Sequence, residues 1–337
     1  MNLPRLHLRT AALLPSLLLA LAASLRCLGA QPASKVEPAS APVPVTFQLD
    51  WKPNAQFAGI LFAKERGWYR EAGIDLSVRP IPPDESVVRS VVTNRLWLGC
   101  AESGVLLPAR ARGEPIQVVG TMLQGSPMCL ISLRSTRLRR PSDLRGRRIG
   151  VHADGNDAID FVLRPAGLDR TSVRVEVMPY DTTPLLEGRF DAVQGYSVDE
   201  AIELRLAGHD VDLMFFHDHG YAAYAQVYFT SEAMLAERPD LVRRFLEVSA
   251  RGWKAAARER DAVVSIILAG GIRDTDRIHQ RKALDALVPL LTREGGRNSH
   301  GRMRKATWEK AVDDFNALPT VARKITVDEL VRFEFQR

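Results

Sequence analysis

The 337-residue chain is poor in several things that would point to a ready function. It has three cysteines, which is too few for a disulfide-built scaffold. No apolar run reaches the ~20 residues that a membrane-spanning helix needs. No run of Lys and Arg is interleaved with stacking aromatics, so a nucleic-acid surface is not expected. The basic stretch from Arg137 to Arg148 is broken by Pro141, Asp143 and Gly146 and reads as a solvated loop. No Gly-x-Ser-x-Gly turn follows a strand, which argues against a hydrolase elbow. His217 and His219 flank Asp218, but no other histidine cluster exists to complete a metal site, so a polar loop is expected there. What remains is a normal globular balance, with 46% apolar and 26% charged residues and enough length for two domains.

The first thirty residues read as an address. MNLPRLHLR is basic, Thr10 to Leu25 is mostly Ala and Leu, and Cys27-Leu-Gly-Ala30 offers small residues for cleavage. Three of the chain's excess positive charges, Arg5, Arg9 and Arg26, lie in this segment. Residues 1–30 are therefore expected to be a signal peptide and 31–44, rich in Pro, Ala and Ser, a flexible leader. Arg26 stands where a lipidated Cys27 would want a small residue, which disfavours a lipid anchor. The expected product is exported, soluble and periplasmic. It keeps Cys100 and Cys129, either paired or as buried thiols.

From Val45 onward, strand-like and helix-like patterns alternate every 10–20 residues, the habit of a parallel α/β sheet. The pattern restarts at Leu144-Arg-Gly-Arg-Arg-Ile-Gly-Val151, and from Glu232 the chain reads as mostly helical. This predicts two lobes, one from 45–133 plus 234–337 and the other from 134–233, with a ligand cleft between them. Ligands of open α/β sheets bind beyond the carboxyl ends of the strands. The loops there include Asp50-Trp-Lys-Pro-Asn54, Ala101-Glu-Ser-Gly104, His152-Ala-Asp-Gly155, Gln194-Gly-Tyr196 and His217-Asp-His-Gly-Tyr221. They are rich in aromatic rings, amides and acids, as suits a flat neutral heterocycle. They hold no Arg, which disfavours a sulfonate or carboxylate ligand. Asp199-Glu200 would ordinarily cap a helix start, with Glu200 also a candidate acceptor for a ligand amine.

Leu49-Asp-Trp-Lys-Pro-Asn54, Ala63 to Asp75, Leu144 to Val151 and Glu187 to Tyr196 together resemble the thiamine-pyrimidine-synthesis/sulfonate-binding-like family of ABC-importer solute-binding proteins. The Asp-Trp-x-Pro-Asn element with the later Gly-Tyr and Glu200 resembles its pyrimidine-precursor branch. The resemblance implies a two-lobed type II periplasmic binding protein fold that closes on a small heteroaromatic ligand and delivers it to a membrane ABC permease. The expected protein is a monomer with no metal and no cofactor. Trp51 would form one wall and Tyr196 or Tyr221 the other. Asn54, Gln56 and Glu200 would read ring nitrogens and an amine, while Glu102, Ser103, Gly104 and Asp154 would complete the polar shell. Gln56 stands where this branch often has His.

Another branch of the family consists of pyrimidine synthases, in which a Lys carries pyridoxal phosphate and a nearby His is consumed. The matching positions here are Ala101 and Val105, and Gly220 to Tyr224 lacks the cysteines of the synthase loop. The resemblance therefore implies a binding protein rather than an enzyme. A thiamine pyrimidine precursor is the expected ligand, with another flat heterocycle such as riboflavin as the alternative.

Overall fold

The structure is a computed structural model that describes residues 41–82, 85–152, 158–179, 181–270, 272, 275–292 and 300–336. The expected signal segment and Asp154 lie outside the described residues. The first strand, β1 (Val43–Gln48), starts inside the expected leader and places Phe47 and Gln48 in the core. A helix α1 (Ala58–Glu65) follows, then β2 (Ile74–Arg79) and β3 (Trp97–Ala101). Next come α2 (Ser103–Ala111) and β4 (Ile116–Thr121). The chain then builds β5 (Met128–Leu133), β6 (Arg148–Val151), β7 (Arg174–Val177), β8 (Ala192–Tyr196) and helix α3 (Glu200–Leu206). After β9 (Val211–Phe215), β10 (Val227–Ser231) leads into α4 (Pro239–Ala256), α5 (Arg260–Ala269) and α6 (Arg277–Leu287).

These strands form two five-stranded sheets, in the orders β2-β1-β3-β10-β4 and β7-β6-β8-β5-β9. The sheet assignments correct two boundaries. β5, expected in the first lobe, pairs with β8 and β9 of the second. β10, expected in the second lobe, pairs with β3 and β4 of the first. Both sheets are mixed rather than purely parallel, because β10 and β5 run antiparallel to their neighbours. The cause is the crossing itself. A chain that leaves β4 at the cleft enters the second sheet from its cleft end, so it must run against strands that point toward the cleft. The return through β10 obeys the same constraint.

The first lobe's core is built on α4, whose Leu241, Val242, Phe245, Val248, Gly252, Trp253 and Ala256 recur at helical spacing and are all buried. This face lies on α1 at a separation that only glycine permits. A Cβ on Gly252 would sit 2.1 Å from the Gly59 carbonyl oxygen, and one on Gly59 would sit 2.3 Å from the Trp253 ring. Neither neighbour is the free end of a flexible side chain, so the helices would have to part. Gly252→Ala is expected to destabilise the protein by about 1–3 kcal/mol, the usual range for overpacking, in denaturant unfolding. An unchanged midpoint would show that α1 and α4 can separate freely.

Candidate functional site

The cleft side of the first lobe begins where β1 ends. Asn54 accepts the Gln56 amide through Oδ1 at 2.9 Å and so caps the short turn Ala55–Phe57 that precedes α1. The cap fixes the Asn54 side chain, and its Nδ2 donates to Asp199 Oδ2 of the second lobe at 3.0 Å. Gln56 Nε2 donates to the same oxygen at 3.3 Å. The third partner comes from the C-terminal helices. Asp276 caps α6 by accepting the His279 amide at 2.8 Å. His279 Nε2 then lies 3.0 Å from Asp199 Oδ1, with the two side chains only 10% and 13% exposed. The next residue, Gln280, is buried and accepts the Ala55 amide at 2.8 Å, locking the capped turn against α6.

Asp199 is thus the carboxylate on which the two lobes converge, and this corrects its expected role. It stands at the N-cap position of α3 but makes no side-chain cap hydrogen bond there. Glu200 turns back along its own lobe instead, accepting the Tyr196 amide at 2.7 Å. Trp51, partly buried against the first lobe's core, lines a cavity of about 50 Å³ together with Lys52, Asn54, Asp199, Glu200 and His279.

A second group of predicted residues meets nearby. Glu102, between β3 and α2, accepts hydrogen bonds through Oε1 from Ser126 Oγ at 3.1 Å and from the Tyr196 hydroxyl. Ser103 Oγ accepts the Tyr224 amide at 3.1 Å. Gly104 makes room for Tyr221, since a Cβ there would lie 2.5 Å from the Tyr221 hydroxyl oxygen. The Tyr221 ring packs against Phe161 and Phe216 in the second lobe's core, which leaves Tyr196 the more exposed of the two expected ring walls.

Sequence patterns do not point to His279 or Gln280 as site residues. The C-terminal tail shows only helical periodicity, and the one local signal is Asp276 three residues before His279, a cap that presents the third helical residue. Cys100 and Cys129 are free and buried, one on each sheet. Burial pushes both thiols up, so they are unreactive. Among the described residues no three His, Cys, Asp or Glu side chains are grouped to hold a metal ion, and no helix is long and apolar enough to cross a membrane.

The NMT1/THI5-like family model matches residues 54–262. The chain is 27% identical to the riboflavin-binding protein RibY of Chloroflexus aurantiacus, over 88% of this chain and 90% of that one. It is 30% identical to the 4-amino-5-hydroxymethyl-2-methylpyrimidine phosphate synthase of Legionella pneumophila, over 62% and 67% respectively. It is 22% identical to the formylaminopyrimidine-binding protein of Halalkalibacterium halodurans, over 85% and 88%. Among solved structures, the alkanesulfonate-binding protein SsuA of Xanthomonas axonopodis pv. citri, bound to MOPS, superposes with a TM-score of 0.67 at 16% identity, covering 87% of this chain and 99% of that one. The two-lobed fold is that of the periplasmic binding proteins.

The acids and the imidazole of the cleft give it a pH dependence. Burial, and then the charge of Asp199, push the Glu200 carboxyl from 4.5 up to about 8. Burial alone would lower His279, but the Asp199 carboxylate beside it outweighs this, with help from Glu203 and Asp276, and the net shift is upward. A group whose pKa is raised on folding stabilises the fold fully below its unfolded value, and that contribution is lost as the pH rises through the folded value. Glu200 should therefore withdraw stability between 4.5 and about 8, and His279 should act in the same sense above 6.5. Melting temperatures measured across that range should fall with rising pH for the parent and fall less for Glu200→Gln. Parallel curves for the two proteins would contradict this assignment.

Proposed function

The chain belongs to the NMT1/THI5-like family, and from that membership we propose an extracytoplasmic solute-binding protein of an ABC importer whose ligand is a thiamine pyrimidine precursor. The ligand is of the hydroxymethyl- or formylamino-pyrimidine type, taken up by closure of the two lobes in the periplasm and handed to a membrane permease. The observation that carries this reading is the convergence on Asp199. A carboxylate from one lobe faces two amides and an imidazole from the other, in a cavity that Trp51 also lines. An aminopyrimidine presents the matching chemistry, with a flat face for the indole, an amine for a carboxylate and ring nitrogens for side-chain amides. Ligand contacts made to both lobes at once stabilise the closed state over the open one. The amine anchor in this reading is Asp199, the carboxylate that faces the first lobe, where a ligand amine would replace the Asn54 and Gln56 donors at Oδ2. The similarity to a formylaminopyrimidine-binding protein supports the ligand class.

A second reading keeps the cleft and takes riboflavin as ligand. The similarity to RibY over nine-tenths of that protein favours it. Catalysis is not part of either reading. Ala101 is buried at the end of β3 and Val105 packs on α2 beside an apolar cluster, so neither position offers an amine or an imidazole to pyridoxal phosphate. Pyridoxal phosphate added to the protein should therefore give no Schiff-base absorbance assignable to a single lysine.

Calorimetry with 4-amino-5-hydroxymethyl-2-methylpyrimidine, formylaminopyrimidine, riboflavin and taurine tests the assignment. Removing a stacking ring or a charge-assisted hydrogen bond costs about 1–3 kcal/mol. Trp51→Ala and Asp199→Asn are thus each expected to weaken pyrimidine binding roughly ten- to hundredfold, with Glu200→Gln affecting it less. Parent-like binding by the first two variants would place the site elsewhere, and a parent preference for riboflavin would favour the second reading.

A further inference from the structure

Gln226 lies at the last step of the return crossing, immediately before β10. It is 1% exposed and has φ +55°, in the left-handed region that residues with side chains rarely adopt. Such a conformation persists only where the surroundings over-determine it, and here they do so from two sides. The Gln226 carbonyl accepts the amide of Met122, on the outgoing crossing, at 3.0 Å. Its side chain reaches the binding loops, where Nε2 donates to Asp50 Oδ2 at 3.2 Å and to Gln56 Oε1 at 3.4 Å. Gln56 in turn donates to Asp199. The donor–acceptor direction along this chain is fixed, because carboxylates stand at both ends and accept only. The same polarity leaves Gln226 Oε1 buried with no donor among the described residues. A buried acceptor in that state is costly until an N–H reaches it.

We propose that Gln226 couples lobe closure to occupancy of the cleft: its backbone ties the two crossings together, and its amide carries their position to Asp50 and Gln56 and so to Asp199 on the opposite lobe. Its unmet carbonyl is the acceptor for an N–H of an amine-bearing heterocycle, or for a water that such a ligand orders. This rests on the cleft-closing reading above and deepens it by naming the residue through which the crossings sense the ligand.

Gln226→Gly is the deciding variant. Glycine adopts φ +55° without strain, so folding is not at issue, yet the amide is gone. Gln226→Ala removes the amide and keeps the strained backbone. Small-angle scattering without added ligand should show a larger radius of gyration for both variants than for the parent. With 4-amino-5-hydroxymethyl-2-methylpyrimidine or riboflavin as probe, both should bind about tenfold more weakly and lose most of the contraction seen in the parent. If Gln226→Gly binds and contracts like the parent, the amide is not the connection and the inference is wrong. If the parent binds neither probe, the ligand reading fails while the ligand-free scattering still decides this one. A radius for Gln226→Gly equal to the parent's overturns it, and a larger radius upholds it.

Discussion

A carboxylate withdrawn from water must be met by donors, and the cleft is organised around meeting one. Asp199 is nearly covered, and isolated burial of such a charge would be far more costly than any packing gain at the site could offset. Its partners come from two separate stretches of chain. Asn54 and Gln56 stand just past the first strand, and His279 stands in the C-terminal helices some 220 residues later. Each donor is aimed by a local device: the Asn54 cap, the Asp276 cap and the Gln280 clamp on Ala55. The helical tail is therefore more than a cover for the first sheet, because it supplies one wall of the site and holds another in place.

Much of this frame is legible in the sequence. The alternation of apolar strands and amphipathic helices gives the two α/β lobes, and the strand-end rule leads to the loops that meet in the cleft. The strands that escape are β5, β9 and β10, with sequences MCLISL, VDLMF and VYFTS. All three are short, β5 and β10 are buried along almost their whole length and adjoin crossings rather than tight turns, and β9 is only partly buried, so neither alternation nor turn residues mark them. Because the two crossing strands carry no such mark, the lobe boundaries fall a strand away from where the restart at Leu144 suggests.

The site divides in the same way. Asn54 is readable because the chain breaks after β1 at Trp51-Lys-Pro-Asn54, whereas Gln56 is reached only through the family resemblance. The choice between Asp199 and Glu200 is not readable. Adjacent acids at a helix start look alike in sequence, and which one faces the cleft depends on the backbone at Asp199, whose φ of −132° and ψ of −87° lie outside ordinary capping geometry. His279 and Gln226 are hard to see for a different reason: each acts through a partner far away in sequence, and only His279 has a local signal, the Asp276 cap three residues before it. Sites of this kind are grafted onto a shared frame. That is consistent with relatives that include both binding proteins and synthases.

The register of β10 against β4 also bears on how the chain could be rearranged. Thr121, the last residue of β4, lies opposite Val227, the first of β10, in an antiparallel pair. Antiparallel neighbours whose ends face each other can be closed by a two-residue turn. The whole second lobe is therefore an insertion at what would otherwise be the tip of a hairpin. The first lobe contains a continuous five-stranded sheet without it, and the second begins and ends at a single point on its host. Excising it and joining Thr121 to Val227 through an Asn-Gly turn would leave a minimal domain with all its strands in their native order.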